Sequence, residues 1–382
     1  MKSVFFKHTI LLLCISMVCA NLPAQNSTKT TFSTTSVYAG IEVGSKGVKL
    51  SLLELGKNAK QNGSFRVLKD SSVNTDFISF TDETFDATLK ALYGLYYTTI
   101  VDYKLPSNKV FTVVSSGVQM QAEKENKLTW IDRLIDSFKI KINDPARVVP
   151  VIDVKQEAIL SHLGIIPESR RYATFLIDIG SGNSKGGYFF NTNTTDFKLF
   201  QLNWGTKSTA NATEKRCAED KSLANYYKQL GRTLTGAEQG EIIYWVNESG
   251  GYPMSDYIAF SGGIAWAIAT LISPELNSSS VVPVTYEDIE KFGERIYKNY
   301  SSLSDNVIVS GLTDKSLDKT EIAKDIKQVN RVFDQRALMA GTGLLLKIMR
   351  QFDGVYDKKE FFLVKNGQVG WISAYVDETI KQ

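Results

Sequence analysis

The chain has 382 residues, 43% of them hydrophobic, with 44 basic and 41 acidic side chains and a net charge of +3. This length suits two domains of ordinary size with well-filled cores. The nearly balanced charge argues against partners that require a large basic excess, so we expect neither nucleic acid nor an anionic membrane surface to bind.

The first 24 residues have the pattern of a secretory signal peptide. Lys2 and Lys7 form a basic start, an apolar run extends from Thr9 to Cys19, and the small residues Ala20 and Ala24 offer two cleavage positions. The run is too short to span a membrane. We therefore expect an exported protein, periplasmic or secreted and without a membrane span, in which residues 25–36 form a disordered lead-in.

The next part of the chain predicts one α/β domain over residues 37–166. Its elements follow the order βββ, α, β, α, β, α. The strands are expected at Ser36–Val43, Val48–Leu55, Phe65–Asn74, Val110–Ser115 and Arg147–Ile152, and the helices at Asp82–Asp102, Trp130–Phe138 and Lys155–Leu163.

A second domain is predicted over residues 167–382, and it begins with the same order of strands. Strands are expected at Thr174–Ile179, Lys185–Phe190, Phe197–Asn203, Tyr257–Ser261 and Phe361–Val364, with a returning strand at Val369–Tyr375. One charged helix is expected at Ala210–Leu230, and further helices at Ile264–Leu271, Tyr286–Tyr300, Thr320–Val329 and Gln335–Gln351.

The two predicted domains share a short motif. In each copy an apolar strand ends in an acid, Glu42 or Asp178, a Gly-Ser turn follows, and a lysine, Lys49 or Lys185, lies seven residues beyond the acid. Glycine allows backbone N–H groups to approach a phosphate closely, and the acid can hold a metal ion or a water. The repeat predicts a phosphate between two related halves. The candidate phosphate-binding residues in the turns are Gly44, Ser45, Gly180, Ser181, Gly182, Asn183 and Ser184.

Two further segments carry candidate residues. Glu157 falls in the first turn of a helix, where it either complements the helix dipole or acts as a general base beside a phosphate. Gly262 and Gly263 lie at a strand-to-helix junction, which either presents N–H groups to an anion or allows tight packing.

The scarcity of histidine and cysteine excludes several kinds of site. After removal of the signal peptide, His162 is the only histidine and Cys217 the only cysteine, so neither an internal disulfide nor a multi-histidine zinc site can form. The helical pattern around His162 favours a core or surface position. Acid–base chemistry is therefore expected to use carboxylates.

These residues resemble a known family. Segments like Gly40–Ser45, Val151–Gly164, Leu176–Lys185 and Ser261–Gly263 occur in this order in the exopolyphosphatase / guanosine-pentaphosphate phosphohydrolase family, within the actin, sugar kinase and heat-shock chaperone superfamily. The resemblance implies two ribonuclease-H-like (actin-like) domains around a cleft, each with a mixed five-stranded sheet and helices. It also implies hydrolysis of terminal phosphoanhydride bonds with Mg²⁺, which Asp178 and Glu42 would position. Glu157 and Asp178 match the family's catalytic positions, and Lys49 matches a basic position.

The chain departs from the family pattern around one anion site. Glu42 stands where aspartate is usual, and Lys185 where glutamate is usual; the other departures are Val154 for glycine, Gln156 for glutamate and Met120 for arginine. A lysine at position 185 alters metal binding or replaces a metal's charge against phosphate.

Three functions follow as hypotheses. The first is an exported phosphoanhydride hydrolase acting on polyphosphate or another phosphorylated small molecule. The second is a catalytically degenerate relative that binds a phosphate ligand or a partner protein, and the third is an assembly scaffold. The sequence leaves open whether two copies form a homodimer.

Overall fold

A computed structural model describes residues 36–56, 65–190, 192–251, 255–353, 358–365, 367 and 370–380 of the chain. The predicted signal peptide and all but the last residue of the lead-in lie outside the described residues. Within the described part, no helix is long and apolar enough to cross a membrane.

The first half of the chain contains a sheet in the order β3-β2-β1-β4. Its strands are β1 (Val37–Val43), β2 (Gly47–Leu55), β3 (Phe65–Asn74) and β4 (Val110–Val114). The first three pair antiparallel in sequence order, whereas β4 lies parallel to β1 on the other side. The accompanying helices are α1 (Asp82–Val101), α2 (Ser116–Lys124), α3 (Leu128–Lys141) and α4 (Val154–Ile165).

The second half contains a sheet in the order β7-β6-β5-β8-β10-β9. The strands are β5 (Thr174–Ile179), β6 (Ser184–Phe189), β7 (Phe197–Leu202), β8 (Tyr257–Ser261), β9 (Val281–Val284) and β10 (Glu360–Val364). Here β5, β6 and β7 pair antiparallel and β8 lies parallel to β5, which repeats the arrangement of β1 to β4. The duplication predicted from the two motifs is thus present in the topology.

Most helices of the second half surround its sheet and form the largest hydrophobic core of the molecule. They are α5 (Thr206–Cys217), α6 (Leu223–Ala237), α7 (Ile243–Ser249), α8 (Gly263–Ile272), α9 (Tyr286–Lys298), α10 (Asp305–Gly311), α11 (Lys319–Val332) and α12 (Gln335–Met349). A single helix was predicted at Ala210–Leu230, but the chain forms α5 and α6 instead. They are separated at Ala218, whose φ of +47° lies outside the helical region.

The strand counts differ from the predicted five in each sheet, since the described residues form sheets of four and six strands. In the first sheet, the predicted strand Arg147–Ile152 is reduced to an isolated bridge between Val151 and Val114. Pro150 has no N–H group with which to continue the ladder. In the second sheet the additional strand is β9, which contains Pro283 and lies at the edge, where a missing N–H group is tolerated.

The predicted returning strand at Val369–Tyr375 is wrong, because its described residues, 370–375, belong to helix α13 (Gly370–Ile380). The helix packs against α4 and β1 in the first half of the chain. A Cβ atom on Gly164 would lie 1.9 Å from the carbonyl oxygen of Gly370, so the two helices approach at backbone distance. Consecutive buried apolar residues in α13 produce a short run whose periodicity does not distinguish helix from strand.

A shared hydrophobic cluster joins the two halves. It contains Val113 of the first sheet, Ala158 of α4, Phe189 of the second sheet and Trp371 of α13, all buried. This cluster holds α4 and β6 in a defined relative position, and both contribute a charged side chain to the cleft described next. The domain division between residues 166 and 167 stays a prediction.

Candidate functional site

Both glycine motifs form β-hairpins in which the acid and the lysine lie opposite each other. In the first hairpin Glu42 pairs in register with Lys49, and in the second Asp178 pairs with Lys185. Directly opposed residues of an antiparallel pair point to the same face of a sheet. The spacing of seven residues therefore places one ammonium group beside each carboxylate.

The tips of the two hairpins converge on the start of α2. A Cβ atom on Gly117, in the first turn of α2, would lie 2.8 Å from Ser45 Oγ and 3.6 Å from Asn183 Oδ1. The glycine is required by this close approach, because a larger side chain would fill the space between the turns. Ser116 and Gly117 were not predicted as site residues. Their signal in the sequence was a small Ser-Ser-Gly segment directly after a buried strand.

Glu157 reaches from the first half of the chain into this cleft. Asp153 caps α4 by accepting a hydrogen bond from Gln156 N at 2.7 Å, which places Glu157 in the first turn. The Glu157 side chain is buried, with 2% of its surface exposed. Its Oε2 accepts a hydrogen bond from Ser116 N at 2.8 Å, and its Oε1 lies 2.7 Å from Lys185 Nζ. An acid that only complemented the helix dipole would not need to be buried among these partners.

Asp178 contributes the second carboxylate. Its Oδ2 lies 3.5 Å from Lys185 Nζ, and its Oδ1 accepts a hydrogen bond from Ser261 Oγ at 2.9 Å. Gly262 has a φ of +93°, and a Cβ atom there would lie 2.3 Å from the Ile179 carbonyl oxygen and 3.1 Å from Asp178 Oδ1. Gly262 therefore allows β8 to turn into α8 directly beside the Asp178 carboxylate.

Lys185 lies between two carboxylates that come from different halves of the chain. Burial alone would lower the pKa of its ammonium group, but Glu157 and Asp178 outweigh that effect and hold the pKa above its usual range. Burial raises the pKa of Glu42 to about 7, with Lys49 opposing the shift and the carboxylate of Glu157 adding to it. The site thus has a permanently charged ammonium group at its centre and a partly protonated acid at one side.

These residues do not fit the predicted Mg²⁺ ion. Magnesium requires several oxygen ligands at about 2.1 Å in octahedral geometry. Of the two predicted ligands, Asp178 has one oxygen facing Lys185 Nζ and the other bonded to Ser261 Oγ, and Glu42 lies opposite Lys49 in its hairpin. The neighbouring Glu157 Oε1 also faces Lys185 Nζ. The described residues also contain no group of three or more acidic, histidine or cysteine side chains that could hold a metal ion.

Three of the remaining predicted phosphate-binding residues, Ser181, Asn183 and Ser184, make contacts within the protein. The Ser181 carbonyl accepts hydrogen bonds from Lys207 N and Ser208 N, at 2.8 and 3.2 Å, which ties the second turn to α5. Asn183 Nδ2 donates to Met120 Sδ at 3.3 Å, so Met120 indeed lies beside the cleft. Ser184 is fully buried and donates to the Trp204 carbonyl, which points to a structural role.

The remaining glycines of the turns differ in their surroundings. Gly44 N donates to the Gly47 carbonyl at 2.9 Å, and Gly180 N donates to the Asn183 carbonyl at 2.9 Å, so each turn is closed by its own backbone. A Cβ atom on Gly182 would meet nothing within 4 Å, whereas one on Gly263 would lie 3.3 Å from Phe333. Gly182 is therefore at an open tip, and Gly263 serves helix packing.

A cavity of about 330 Å³ opens beside the hairpin tips. Two lysines line it: Lys46 of the first turn, and Lys207, whose backbone N–H is bonded to Ser181 of the second turn. Lys207 Nζ donates to Asp76 Oδ1 at 3.0 Å and so links the two halves at the mouth of the cleft. This cavity offers room for a ligand that extends beyond the space between the turns.

His162 is a core residue. Its Nε2 lies 3.0 Å from the Thr174 carbonyl oxygen, which can only accept, so the ring carries its proton on Nε2. The imidazole packs edge-to-face on Phe189 at 5.0 Å. Burial lowers the pKa of His162 to about 4, although the hydrogen bond to Thr174 opposes the shift. The histidine is therefore neutral at physiological pH and lies outside the cleft chemistry.

The fold matches several solved structures. A Ppx/GppA family member from Aquifex aeolicus is 17% identical, with a TM-score of 0.57 over 90% of this chain and 98% of that chain. An exopolyphosphatase-like protein is 13% identical, with a TM-score of 0.58 over 90% and 99%, and an exopolyphosphatase from Cytophaga hutchinsonii is 14% identical, with a TM-score of 0.54 over 90% and 98%.

At the level of sequence, no protein-family profile matches this chain, and no curated protein matches it significantly. The similarity is therefore one of three-dimensional structure, along nearly the whole length of the compared chains. The resemblance predicted from the motifs is confirmed in the fold. The chain has the fold of these Ppx/GppA and exopolyphosphatase structures.

Proposed function

We propose that this protein is an exported phosphohydrolase that releases orthophosphate from the end of a phosphoanhydride chain, such as polyphosphate. One observation carries the proposal. Glu157 from one half and Asp178 from the other are both buried and face the same ammonium group, next to the convergence of two glycine hairpins. Buried titratable groups gathered in a cleft between domains are typical of an active site.

The terminal phosphate would bind between the two turns. Backbone N–H groups at glycine turns form anion-binding concavities, and the Ser45 hydroxyl adds a side-chain donor at the same point. Lys185 supplies a positive charge to the phosphate oxygens. The rest of an inorganic chain would extend into the neighbouring cavity, towards Lys46 and Lys207.

Hydrolysis would then use Glu157 as the general base. When a phosphate oxygen attracts Lys185, Oε1 of Glu157 becomes available to a water molecule, while Oε2 stays bonded to Ser116 N. Glu157 takes a proton from the water, the water oxygen forms a bond to the terminal phosphorus, and the bridging P–O bond breaks. The products are orthophosphate and a chain one unit shorter. Positioning and charge neutralisation provide most of the rate in such reactions.

A second function is favoured by a specific observation. Both oxygens of Glu157 already have partners, Lys185 Nζ and Ser116 N. A carboxylate engaged in this way has no oxygen positioned to take a proton from a water molecule. The same cleft would then bind a phosphate chain without cleaving it, as expected for a catalytically degenerate member of this fold.

The experiment that separates the two functions is phosphate release from long-chain polyphosphate, measured with Mg²⁺ and with a chelator. We expect Glu157→Gln to reduce release by about 100-fold or more, because general bases contribute factors of this size. Glu287→Gln is the matched control, since Glu287 is exposed and pairs with Lys291 on the surface. Binding without release by the wild-type protein would support the binder, and neither binding nor release would refute both functions.

Export belongs to the same proposal and is tested separately. The basic start, apolar run and small residues of the first 24 positions support a cleaved signal peptide. We expect the mature protein, recovered from outside the cytoplasm, to begin at Asn21 or Gln25. An intact Met1 on the mature protein would refute export by this signal.

A further inference from the structure

We infer that Lys185 is the built-in cation of this cleft, which replaces a divalent metal ion and makes phosphate binding independent of metal. The inference rests on the proposed phosphate-binding function of the cleft. It concerns the electrostatic partner of the ligand, and is therefore separable from whether the ligand is hydrolysed.

The geometry around Lys185 supports this inference. Each of its two carboxylate partners divides its oxygens in the same way. One oxygen faces the ammonium group, at 2.7 Å for Glu157 and 3.5 Å for Asp178. The other oxygen accepts a hydrogen bond from a fixed donor, Ser116 N or Ser261 Oγ. These two donors, Ser116 N and Ser261 Oγ, orient the carboxylates towards the ammonium group.

A divalent ion would have to compete for the same two oxygens. Lys185 is 5% exposed and belongs to β6, a strand that is buried along its whole length, so the ammonium group has little room to leave the cleft. A metal ion entering beside it would meet a like charge at short range in a poorly solvated space. Lys185 therefore occupies the site both sterically and electrostatically.

Lys185 also has the bonding capacity that a ligand requires. An ammonium group has three N–H donors, of which one points to Glu157 Oε1 at 2.7 Å, while Asp178 Oδ2 makes a longer ion-pair contact at 3.5 Å. A remaining N–H group can donate to a phosphate oxygen without the ammonium group leaving the cleft. A resident ammonium group can thus bridge carboxylates and phosphate in the way that a metal ion bridges them.

The first hairpin shows the same pairing. Lys49 lies opposite Glu42 in register, as Lys185 lies opposite Asp178. Each acid that could have been a metal ligand thus has a lysine beside it in its own hairpin. The two hairpins together carry two ammonium groups and two acids, and Glu157 adds a third acid that is itself paired with Lys185.

The inference is tested by calorimetric titration with tripolyphosphate in a chelator and in Mg²⁺. We expect the wild-type Kd to differ by less than about twofold between the two buffers. Lys185→Met should weaken binding by about tenfold or more in both, because it removes a charge-assisted hydrogen bond. Lys291→Met is the matched control, since Lys291 is exposed and pairs with Glu287 on the same surface helix.

A charge-reversed variant provides a second readout, which does not depend on the phosphate ligand. Lys185→Glu turns the centre of the site into a third carboxylate, and we expect it to bind Mn²⁺, detected by electron paramagnetic resonance, whereas the wild-type protein does not. Mn²⁺ binding by the ligand-free wild-type cleft would overturn the inference. The wild-type measurements decide the question even if a variant fails to fold.

The failure of this inference differs from the failure of the proposed function. Tripolyphosphate binding that requires Mg²⁺ would overturn the resident cation and leave a metal-dependent hydrolase in place. Metal-free binding without phosphate release would retain the resident cation and refute hydrolysis. Absence of binding in both buffers would refute the phosphate cleft together with the inference.

Discussion

The replacement Lys185→Met should destabilise the fold strongly, because it removes the cation between two buried acids. Methionine has a similar length and no charge, so the packing volume is largely kept. Glu157 and Asp178, which are 2% and 8% exposed, would then face each other without a counter-charge. Removing one partner of a buried ion pair costs about 3–5 kcal/mol.

The lower end of this range applies here. Ser116 N still donates to Glu157, and Ser261 Oγ still donates to Asp178, so each carboxylate keeps one strong hydrogen bond. We therefore expect a loss of about 3 kcal/mol in the free energy of unfolding, which is roughly a 100-fold change in the unfolding equilibrium. Urea unfolding followed by tryptophan fluorescence measures it.

A double-variant cycle tests whether the loss comes from the unpaired charge. Glu157→Gln in the Lys185→Met background removes one of the two uncompensated carboxylates. The double variant should therefore lose less free energy of unfolding than the sum of the two single losses, by about 1 kcal/mol or more. Lys291→Met, on the surface, should leave the unfolding curve unchanged. Additive single losses, or a loss under about 1 kcal/mol for Lys185→Met, would refute the reasoning.

Three further predictions concern the scaffold. Burial lowers the pKa of His162 to about 4, from 6.5 in the unfolded chain, so between these pH values the unfolded chain binds a proton that the folded chain does not. The free energy of unfolding therefore decreases as the pH is lowered, by about 2 kcal/mol from pH 7 to pH 5. His162→Gln should show a correspondingly weaker dependence of stability on pH. An equal slope in both proteins would contradict a buried neutral histidine. Gly164→Ala should cost about 2 kcal/mol, since its Cβ would lie 1.9 Å from the Gly370 carbonyl oxygen, whereas Gly94→Ala, with nothing within 4 Å, should raise the free energy of unfolding by about 0.5–1 kcal/mol in the same urea assay. Thr285→Ala should cost about 1 kcal/mol, because Thr285 Oγ1 accepts from Asp288 N at 3.1 Å and caps α9; an unchanged denaturation midpoint would show that the cap is dispensable.

Local sequence patterns were sufficient for the hairpins and for the fold class. An acid, a Gly-Ser turn and a lysine seven residues further on predict opposed side chains, because the period of a strand is fixed at two. The repeat of this motif predicted two related halves, and both the register of the hairpins and the repeated strand order confirm it. The sequence also placed Glu157 in the first turn of a helix, because this is a local pattern, but it left the role of Glu157 open and did not indicate Ser116 as its partner.

Long-range packing decided the rest. Which residue lies opposite Glu157 depends on how α4 meets β6 across the cluster shared by the two halves, and no local pattern records that distance. The same is true of α13, a C-terminal helix that packs back onto α4 and β1, and of the edge strand β9. The sequence by itself determined that two acids and two lysines would flank a pair of glycine turns. Only the tertiary structure decided that Lys185 bridges Glu157 and Asp178, because the three side chains come from separate elements brought together by burial.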